Sequence, residues 1–175
     1  KKLVELMRGR IEVESELGKG STFTLFLDFA KADSYTQAVQ ADVPLPDKLR
    51  GKKVLVCEDN KINAEIVSRL LEKQGVQLMV AKNGLEAVES FQKSQEGYFN
   101  AILMDVRMPV MDGLTATRAI RRLGRKDGEI IPIIAISANA YQEDIEKALA
   151  AGINDYITKP VVPSILYHTL AEWLK

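Results

Sequence analysis

The stretch AILMDVRMPVMDG (101–113) begins with a short apolar run, which ends in a carboxylate, Asp105. Consecutive apolar residues without polar alternation are typical of a strand that is buried on both faces of a parallel sheet. The residues from Gly113 to Arg122 continue at helical spacing. The stretch therefore predicts a strand, a loop and a helix, with a charged side chain where the strand ends.

The pattern of an apolar strand followed by a helix occurs four more times between Lys52 and Lys175. The further strands are predicted at KVLVCE (53–58), VQLMVA (76–81), IIPIIAIS (130–137) and DYIT (155–158). Their helices are predicted over 60–75, 85–91, 142–151 and 165–174. Strands this apolar are unsuited to face water on either side. We therefore predict an α/β fold, a five-stranded parallel sheet with helices on both faces.

The N-terminal part follows a different pattern. Residues 10–17 and 21–29 alternate apolar and polar side chains around LGKGS, which predicts a β-hairpin after a helix end. A helix end and one hairpin bury too little apolar surface to be stable alone, so we predict that residues 1–30 are a fragment of a larger domain. Residues 31–51 are polar, carry two prolines and lack periodicity, which predicts a linker.

Composition excludes several classes of function. The chain carries 24 basic and 24 acidic side chains, so no field of one sign would attract nucleic acid. No apolar run approaches the roughly 20 residues that cross a bilayer. The single cysteine, Cys57, lies in an apolar run and is expected to be buried. We expect a cytoplasmic fragment without membrane contact, although a longer parent protein could be anchored in a membrane.

Charged and polar side chains follow the predicted strands at one edge of the sheet. They are Glu58, Asp59, Asp105, Ser137 and Lys159. Ligands of parallel α/β sheets bind beyond the carboxyl ends of the strands, so these side chains are expected to converge. Three carboxylates in one crevice repel each other unless a cation joins them. Mg²⁺ suits such a site because it needs few protein oxygens and recruits phosphate.

The ammonium and the hydroxyl of this set suit phosphoryl transfer. Lys159 would supply positive charge and Ser137 a hydrogen-bond donor to the phosphoryl oxygens. A carboxylate is a competent nucleophile towards phosphorus, so we predict transfer to Asp105. Taken singly, each residue has an ordinary alternative: Glu58-Asp59 as a capping turn, Ser137 as a cap and Lys159 as a surface lysine.

Four motifs resemble the receiver domain of two-component response regulators. They are VLVCEDNKINAEI (54–66), ILMDVRMPVMDG (102–113), IIAISANA (133–140) and DYITKP (155–160). The resemblance covers residues 52–175 and implies a flavodoxin-like fold with strand order 2-1-3-4-5. It implies that Asp105 accepts a phosphoryl group from phosphohistidine. It also implies Mg²⁺ bound by Asp105 and Asp59, by Glu58 through water, and by the backbone carbonyl of Arg107.

The same resemblance implies roles in switching and in the lifetime of the phosphorylated form. Lys159 grips the phosphoryl group, Ser137 swings towards it, and Tyr156 changes rotamer to fill the space that is left. The bulky, cationic Arg107 and Asn139 border the route of an attacking water and are expected to tune hydrolysis. The receiver itself would catalyse only the phosphorylation and dephosphorylation of its aspartate.

The N-terminal residues 1–27 look like the end of the ATP-binding domain of sensor histidine kinases, including its last glycine-rich turn, Gly18-Lys19-Gly20. A kinase tail, a linker and a receiver are the layout of a hybrid histidine kinase. The other nucleotide-binding motifs and the phosphorylated histidine segment are absent, so we expect no autophosphorylation from ATP. The expected partner is a phosphohistidine on the parent kinase or on a histidine phosphotransfer domain, and a weak homodimer is compatible with the family.

Other functions remain open on the residues alone. The receiver could serve as a dimerisation or inhibitory module, with phosphorylation incidental. A phosphohydrolase with an aspartate nucleophile would need a second carboxylate at position 107, which is arginine. A flavodoxin-like cofactor site would be repelled by the acidic loop after the first strand. The sole histidine, His168, lies on the last predicted helix, so the donor histidine is expected on another segment or protein.

Overall fold

The computed structural model describes residues 4–5, 7, 9–28, 47–138 and 142–174 of the chain. The chain forms two compact units, Lys1–Ala41 and Asp42–Lys175. None of the helices in the described residues is long and apolar enough to span a membrane.

The first unit contains the predicted hairpin. β1 (Arg10–Glu16) and β2 (Gly20–Phe26) pair antiparallel, with Val13 opposite Phe23. Because side chains alternate across a strand, the apolar side chains share one face and the acidic ones of β1 the other. The apolar side chains of this face are largely exposed, Val13 by 55% and Phe23 by 63%. The antiparallel pairing confirms the hairpin prediction.

The second unit is built on a five-stranded parallel sheet. Its strands are β3 (Lys53–Cys57), β4 (Gln77–Ala81), β5 (Ala101–Asp105), β6 (Ile133–Ser137) and β7 (Asp155–Thr158). Their order is β4-β3-β5-β6-β7, and every neighbouring pair is parallel. Every residue of β5 and β6 is buried, as their apolar sequences predict. The predicted strand order 2-1-3-4-5 is therefore confirmed.

Helices cover both faces of this sheet. They are α1 (Lys61–Glu72), α2 (Gly84–Lys93), α3 (Gly113–Arg121), α4 (Lys126–Ile130), α5 (Gln142–Ala151) and α6 (Pro163–Trp173). The core has two parts, one on each face. Helices α1 and α6 pack on one face through Leu71 and Leu166, and α2 and α3 pack on the other through Phe91 and Ile120.

The fourth strand of the sheet is shorter than the sequence predicts. The apolar residues 130–132 were expected in the strand, but Ile130 ends helix α4 and β6 begins at Ile133. Pro132 has no N–H to donate to a neighbouring strand. Its carbonyl still accepts a hydrogen bond from the Ile102 N–H at 2.8 Å. Apolar residues alone therefore did not distinguish the end of a short helix from the start of a strand.

The end of the predicted linker packs against the second unit. Residues Asp47–Leu49 form one turn of 3₁₀ helix, and Leu49 is buried in the same core as α1 and α6. The Gly51 N–H donates to the Gly75 carbonyl at 2.8 Å. These contacts fix the chain just before β3 enters the sheet.

The guanidinium of Arg121 cross-links the far end of the second unit. It donates to the backbone carbonyls of Gly128, Ile131 and Gly152 and to the side-chain carbonyl of Asn154, at 2.7–3.0 Å. One side chain thus provides hydrogen-bond donors to carbonyl oxygens at the ends of α4 and α5 and just before β7. Unpaired carbonyls in these half-buried positions would cost stability.

We expect Arg121→Met to lower the free energy of unfolding by about 2–3 kcal/mol, since the aliphatic stem stays but several acceptors lose their donor. Urea unfolding followed by circular dichroism measures the change. Arg122→Met is the matched control because Arg122 is exposed, and it should change stability by less than about 0.5 kcal/mol. Equal losses in both variants would contradict this role of Arg121.

Candidate functional site

Three carboxylates meet at the carboxyl ends of two adjacent strands. Glu58 and Asp59 follow β3, Asp105 is the last residue of β5, and the two strands pair directly. One oxygen from each carboxylate lies within 4.8 Å of the others. Glu58 and Asp105 are buried, whereas Asp59 is exposed. Among the described residues this is the one cluster of three or more potential metal ligands.

The ammonium of Lys159 bridges the two buried carboxylates. Its Nζ lies 2.7 Å from Glu58 Oε2 and 2.6 Å from Asp105 Oδ2. Its backbone N–H donates to the Ser137 carbonyl at 2.8 Å, and the peptide bond to Pro160 is cis. Burial alone would lower the pKa of Lys159, but the hydrogen bonds that its ammonium donates to Asp105 and Glu58 outweigh burial and raise the pKa. The lysine therefore stays charged at neutral pH.

Close backbone packing fixes the strand end that carries Asp105. The Gly113 N–H, at the start of α3, donates to the Val106 carbonyl at 3.0 Å. A Cβ at position 113 would overlap the backbone oxygen of Asp105, so only glycine allows this approach. The side chain of Asp112 caps α3 by accepting from the Thr115 N–H at 2.8 Å. The loop after Asp105 is therefore held between the strand and the helix.

The first turn of α1 contacts the cluster through an amide. Asn60 caps the helix, and its side chain accepts from the N–H groups of Ile62 and Asn63. The Asn63 side-chain amide donates to Glu58 Oε1 at 3.1 Å. Sequence reasoning missed this contact. The signal was present, since an amide lies in the first helical turn, five residues after Glu58.

The roles of the remaining predicted residues stay predictions. Ser137 is buried at the end of β6. The Arg107 side chain is exposed, and its backbone N–H donates to Asp105 Oδ1 at 3.1 Å. The Tyr156 hydroxyl is buried and, within the part of the chain that the structure describes, has no hydrogen-bond partner. Asn139 lies outside the described residues.

The charges of the site suit a divalent cation. Three carboxylates and one ammonium leave two negative charges in a space whose ligand oxygens are within 4.8 Å of one another. All the acidic ligand atoms are oxygens, which Mg²⁺ prefers, and there are few of them. The residues present therefore fit Mg²⁺.

Comparison with known proteins identifies relatives of the second unit and, for one of them, of almost the whole chain. The family model described as response regulator receiver domain matches residues 54–171. Hybrid signal transduction histidine kinase I of Dictyostelium discoideum is 42% identical over 121 residues, which are 68% of this chain and 7% of the relative. The autoinducer 2 sensor kinase/phosphatase LuxQ of Vibrio vulnificus is 38% identical over 178 residues, covering 99% of this chain and 20% of the relative. The chain thus spans a small part of these relatives.

Two solved structures resemble the same unit. One is the receiver domain of sensor histidine kinase PA1611 from Pseudomonas aeruginosa, with a magnesium ion coordinated in its active site cleft. It is 40% identical, with a TM-score of 0.64, covering 71% of this chain and 98% of that one. The other is the Saccharomyces cerevisiae complex of the histidine phosphotransfer protein Ypd1 with the receiver domain of Ssk1. It is 37% identical, with a TM-score of 0.64, covering 70% and 88%.

We expect Lys159→Met to destabilise the metal-free protein by about 2–3 kcal/mol, because it leaves two carboxylates unpaired at buried positions. The expected loss is smaller than the roughly 3–5 kcal/mol of a fully buried pair because the lysine side chain is 21% exposed. Urea unfolding in chelator measures it. The triple variant with Glu58→Gln and Asp105→Asn added should recover most of the loss, since the remaining carboxylate of the cluster, Asp59, is exposed and no buried charge is left uncompensated. A triple variant as unstable as Lys159→Met alone would contradict this explanation.

Proposed function

Since the chain belongs to the response regulator receiver family, we propose that Asp105 accepts a phosphoryl group from phosphohistidine in a site that holds Mg²⁺. The observation that carries the proposal is the contact of the Lys159 ammonium with Asp105 Oδ2 at 2.6 Å, beside two further carboxylates. A nucleophile, a fixed positive charge and a set of oxygen ligands thus lie at one sheet edge. This is the equipment that phosphoryl transfer needs.

The groups of the cluster would divide the work of this reaction, and Asp105 would both bind the metal and attack phosphorus. Asp59, Asp105 and Glu58 would hold Mg²⁺, with the Arg107 backbone carbonyl. When bound, Mg²⁺ supplies charge neutralisation to the phosphoryl oxygens. A carboxylate oxygen of Asp105 forms a bond to phosphorus while the bond from phosphorus to the imidazole nitrogen breaks. The imidazole leaves with that electron pair, and the Lys159 ammonium compensates the charge on the transferred group.

We also propose a switch formed by two side chains on the paired strands β6 and β7, Ser137 and Tyr156. We assign the Ser137 hydroxyl to the phosphoryl oxygens, because Ser137 ends the strand next to β5. The Tyr156 hydroxyl has no partner in its buried position among the described residues, so an outward rotamer breaks no hydrogen bond of that group. Tyr156 can therefore follow a movement of Ser137. We propose that the exposed Arg107, together with Asn139, sets how long the phosphorylated form lasts before hydrolysis.

The proposed partner is a histidine phosphotransfer domain or the parent kinase. The receiver domain of Ssk1 was crystallised with such a phosphotransfer protein, Ypd1. Exposed apolar side chains, which we call the apolar rim, lie on segments that start at the carboxyl ends of β3, β5 and β7. They are Ile62, Ile66, Val110 and Ile165. Helices α1 and α6 are neighbours, since the Tyr167 hydroxyl donates to the Leu70 carbonyl at 2.9 Å.

The apolar rim suits a helical partner that brings a phosphohistidine to Asp105. Ile62 and Ile66 are four residues apart and project from the same face of α1, with exposures of 70% and 48%. Exposed apolar side chains grouped beside a polar cleft are typical of interaction sites. A docked partner would also cover the acceptor from water, which strengthens the electrostatic contacts inside.

We further propose that the chain is part of a hybrid sensor histidine kinase. Residues 1–30 would be the last part of its ATP-binding domain, 31–51 a linker and 52–175 the receiver. Similarity to LuxQ over 99% of the chain supports this layout because it includes the N-terminal hairpin. The one-sided apolar pattern of β1 and β2 is also what a hairpin at the edge of a larger sheet or helix layer needs.

Asp105→Asn should abolish labelling by acetyl phosphate and Mg²⁺, since an amide is not a nucleophile towards phosphorus under these conditions. Mass spectrometry of the intact chain measures the added phosphoryl group, and a chelator should prevent its addition to the wild type. Asp112→Asn is the matched control, because asparagine caps a helix as well as aspartate does. Retained acid-labile phosphate on Asp105→Asn would move the acceptor elsewhere.

The double variant Ile62→Ser, Ile66→Ser should slow transfer from a phosphohistidine donor by about tenfold, because a docking contact loses roughly 1–2 kcal/mol of apolar burial. Labelling by acetyl phosphate, which needs no docking, should be unchanged. Radiolabel transfer from a phosphorylated histidine phosphotransfer domain measures the first rate. Ile130→Ser is the control, since Ile130 is 77% exposed at the opposite edge of the sheet. A donor rate that is slowed equally by Ile130→Ser would exclude the apolar rim as the docking surface.

A further inference from the structure

Glu58 is a longer side chain than the task of a metal ligand requires. It has one more rotatable bond than aspartate at the same backbone position, and that bond must be fixed before the carboxylate can face a cation. Its exposed fraction is 4%, so solvent does little to orient it. Protein groups must therefore hold its two oxygens.

Different groups hold the two oxygens of Glu58. Oε2 accepts from Lys159 Nζ at 2.7 Å. Oε1 accepts from the Asn63 side-chain amide at 3.1 Å and, at a longer 3.4 Å, from the Asn60 backbone N–H. The Lys159 ammonium also donates to Asp105, so a reaction at Asp105 would alter the contact that holds Oε2. Among the hydrogen bonds of the described residues, the Asn63 amide donates to Glu58 and to neither of the other two carboxylates of the cluster.

The position of Asn63 is itself fixed by the helix. The Asn60 side chain accepts from the Ile62 and Asn63 backbone N–H groups at 2.9 and 3.2 Å. This cap sets the first turn of α1, which directs the Asn63 side chain back to the end of β3. Asn63 is half-buried, so water competes weakly for its amide. The donor is neutral, so it orients Glu58 without removing any of the negative charge that attracts a cation.

From these contacts we infer that Asn63 is a positioning residue for Glu58, an inference that rests on the metal site of the proposed function. Its amide holds Oε1 and so fixes the rotamer in which the carboxylate faces Asp59 and Asp105. Asn63 itself does not touch the reacting atoms. Its effect reaches the site only through Glu58, in the way that outer partners of metal ligands tune metal affinity.

The test is a calorimetric titration of the whole chain with Mg²⁺ alone. Asn63→Ala should raise the dissociation constant for Mg²⁺ by about tenfold, which is the lower end of the effect of groups that orient metal ligands. Ser68→Ala is the matched control. It exchanges a polar residue for alanine in the same helix, outside the cluster, and should leave the constant unchanged.

A double-variant comparison separates positioning from a general structural effect. Glu58→Asp withdraws the carboxylate by about 1.5 Å, beyond hydrogen-bond reach of the Asn63 amide. In that background Asn63→Ala should change the Mg²⁺ constant by less than about twofold. Equal weakening in both backgrounds would overturn the inference, and so would an unchanged constant for Asn63→Ala alone.

Thermal unfolding gives a second readout. If Asn63 positions Glu58, Asn63→Ala should reduce the rise in Tm that Mg²⁺ produces, because that rise depends on the dissociation constant. A variant with a lower Tm in chelator but the full rise with Mg²⁺ has a structural role only, which would overturn the inference. Failure of the wild type to bind Mg²⁺ would remove the metal site of the proposed function and the inference with it. An unchanged constant in Asn63→Ala leaves the metal site standing.

Discussion

The site depends on one contact, the Lys159 ammonium between the carboxylates of Glu58 and Asp105. Two carboxylates that are buried side by side repel each other unless a positive charge lies between them. The ammonium supplies that charge by contacting one oxygen of each carboxylate, at 2.7 and 2.6 Å. It also leaves the cluster with a surplus of two negative charges, counting Asp59, which is the condition for attracting a divalent cation.

The parallel sheet makes this contact possible. Lys159 is 101 residues from Glu58 and 54 residues from Asp105 along the chain. In a parallel sheet all carboxyl ends lie at one edge, so residues that follow different strands meet there without any local sequence signal linking them. The buried strands β5 and β6 keep that edge rigid, and the close approach of Gly113 holds the loop after Asp105.

Most of the fold could be predicted because its central strands, β3, β5 and β6, are buried and read as apolar runs. The outer strand β4 is an exception, since Met79 and Val80 are 41% and 45% exposed despite its apolar sequence. The topology then brought Glu58, Asp105 and Lys159 to one place, as their positions after strands predict. The sequence was ambiguous where apolar character has two meanings, as at Ile130, which ends a helix rather than beginning a strand. The sequence could not predict which of several possible acceptors a polar side chain would contact. The amide of Asn63 could have faced solvent, and only the geometry of the capped helix turns it to Glu58.

In this geometry Glu58 and Asp105 can each contact Lys159 through one oxygen and a bound cation through the carboxylate as well. Each carboxylate has two oxygens, and Lys159 takes one of each pair at 2.6–2.7 Å. The other Glu58 oxygen is held by a neutral amide and the other Asp105 oxygen by the Arg107 N–H. Neutral donors fix direction without cancelling charge, so the carboxylates remain both ordered and attractive to a cation. Orientation and positive charge are thus supplied to Glu58 by separate groups, the Asn63 amide and the Lys159 ammonium.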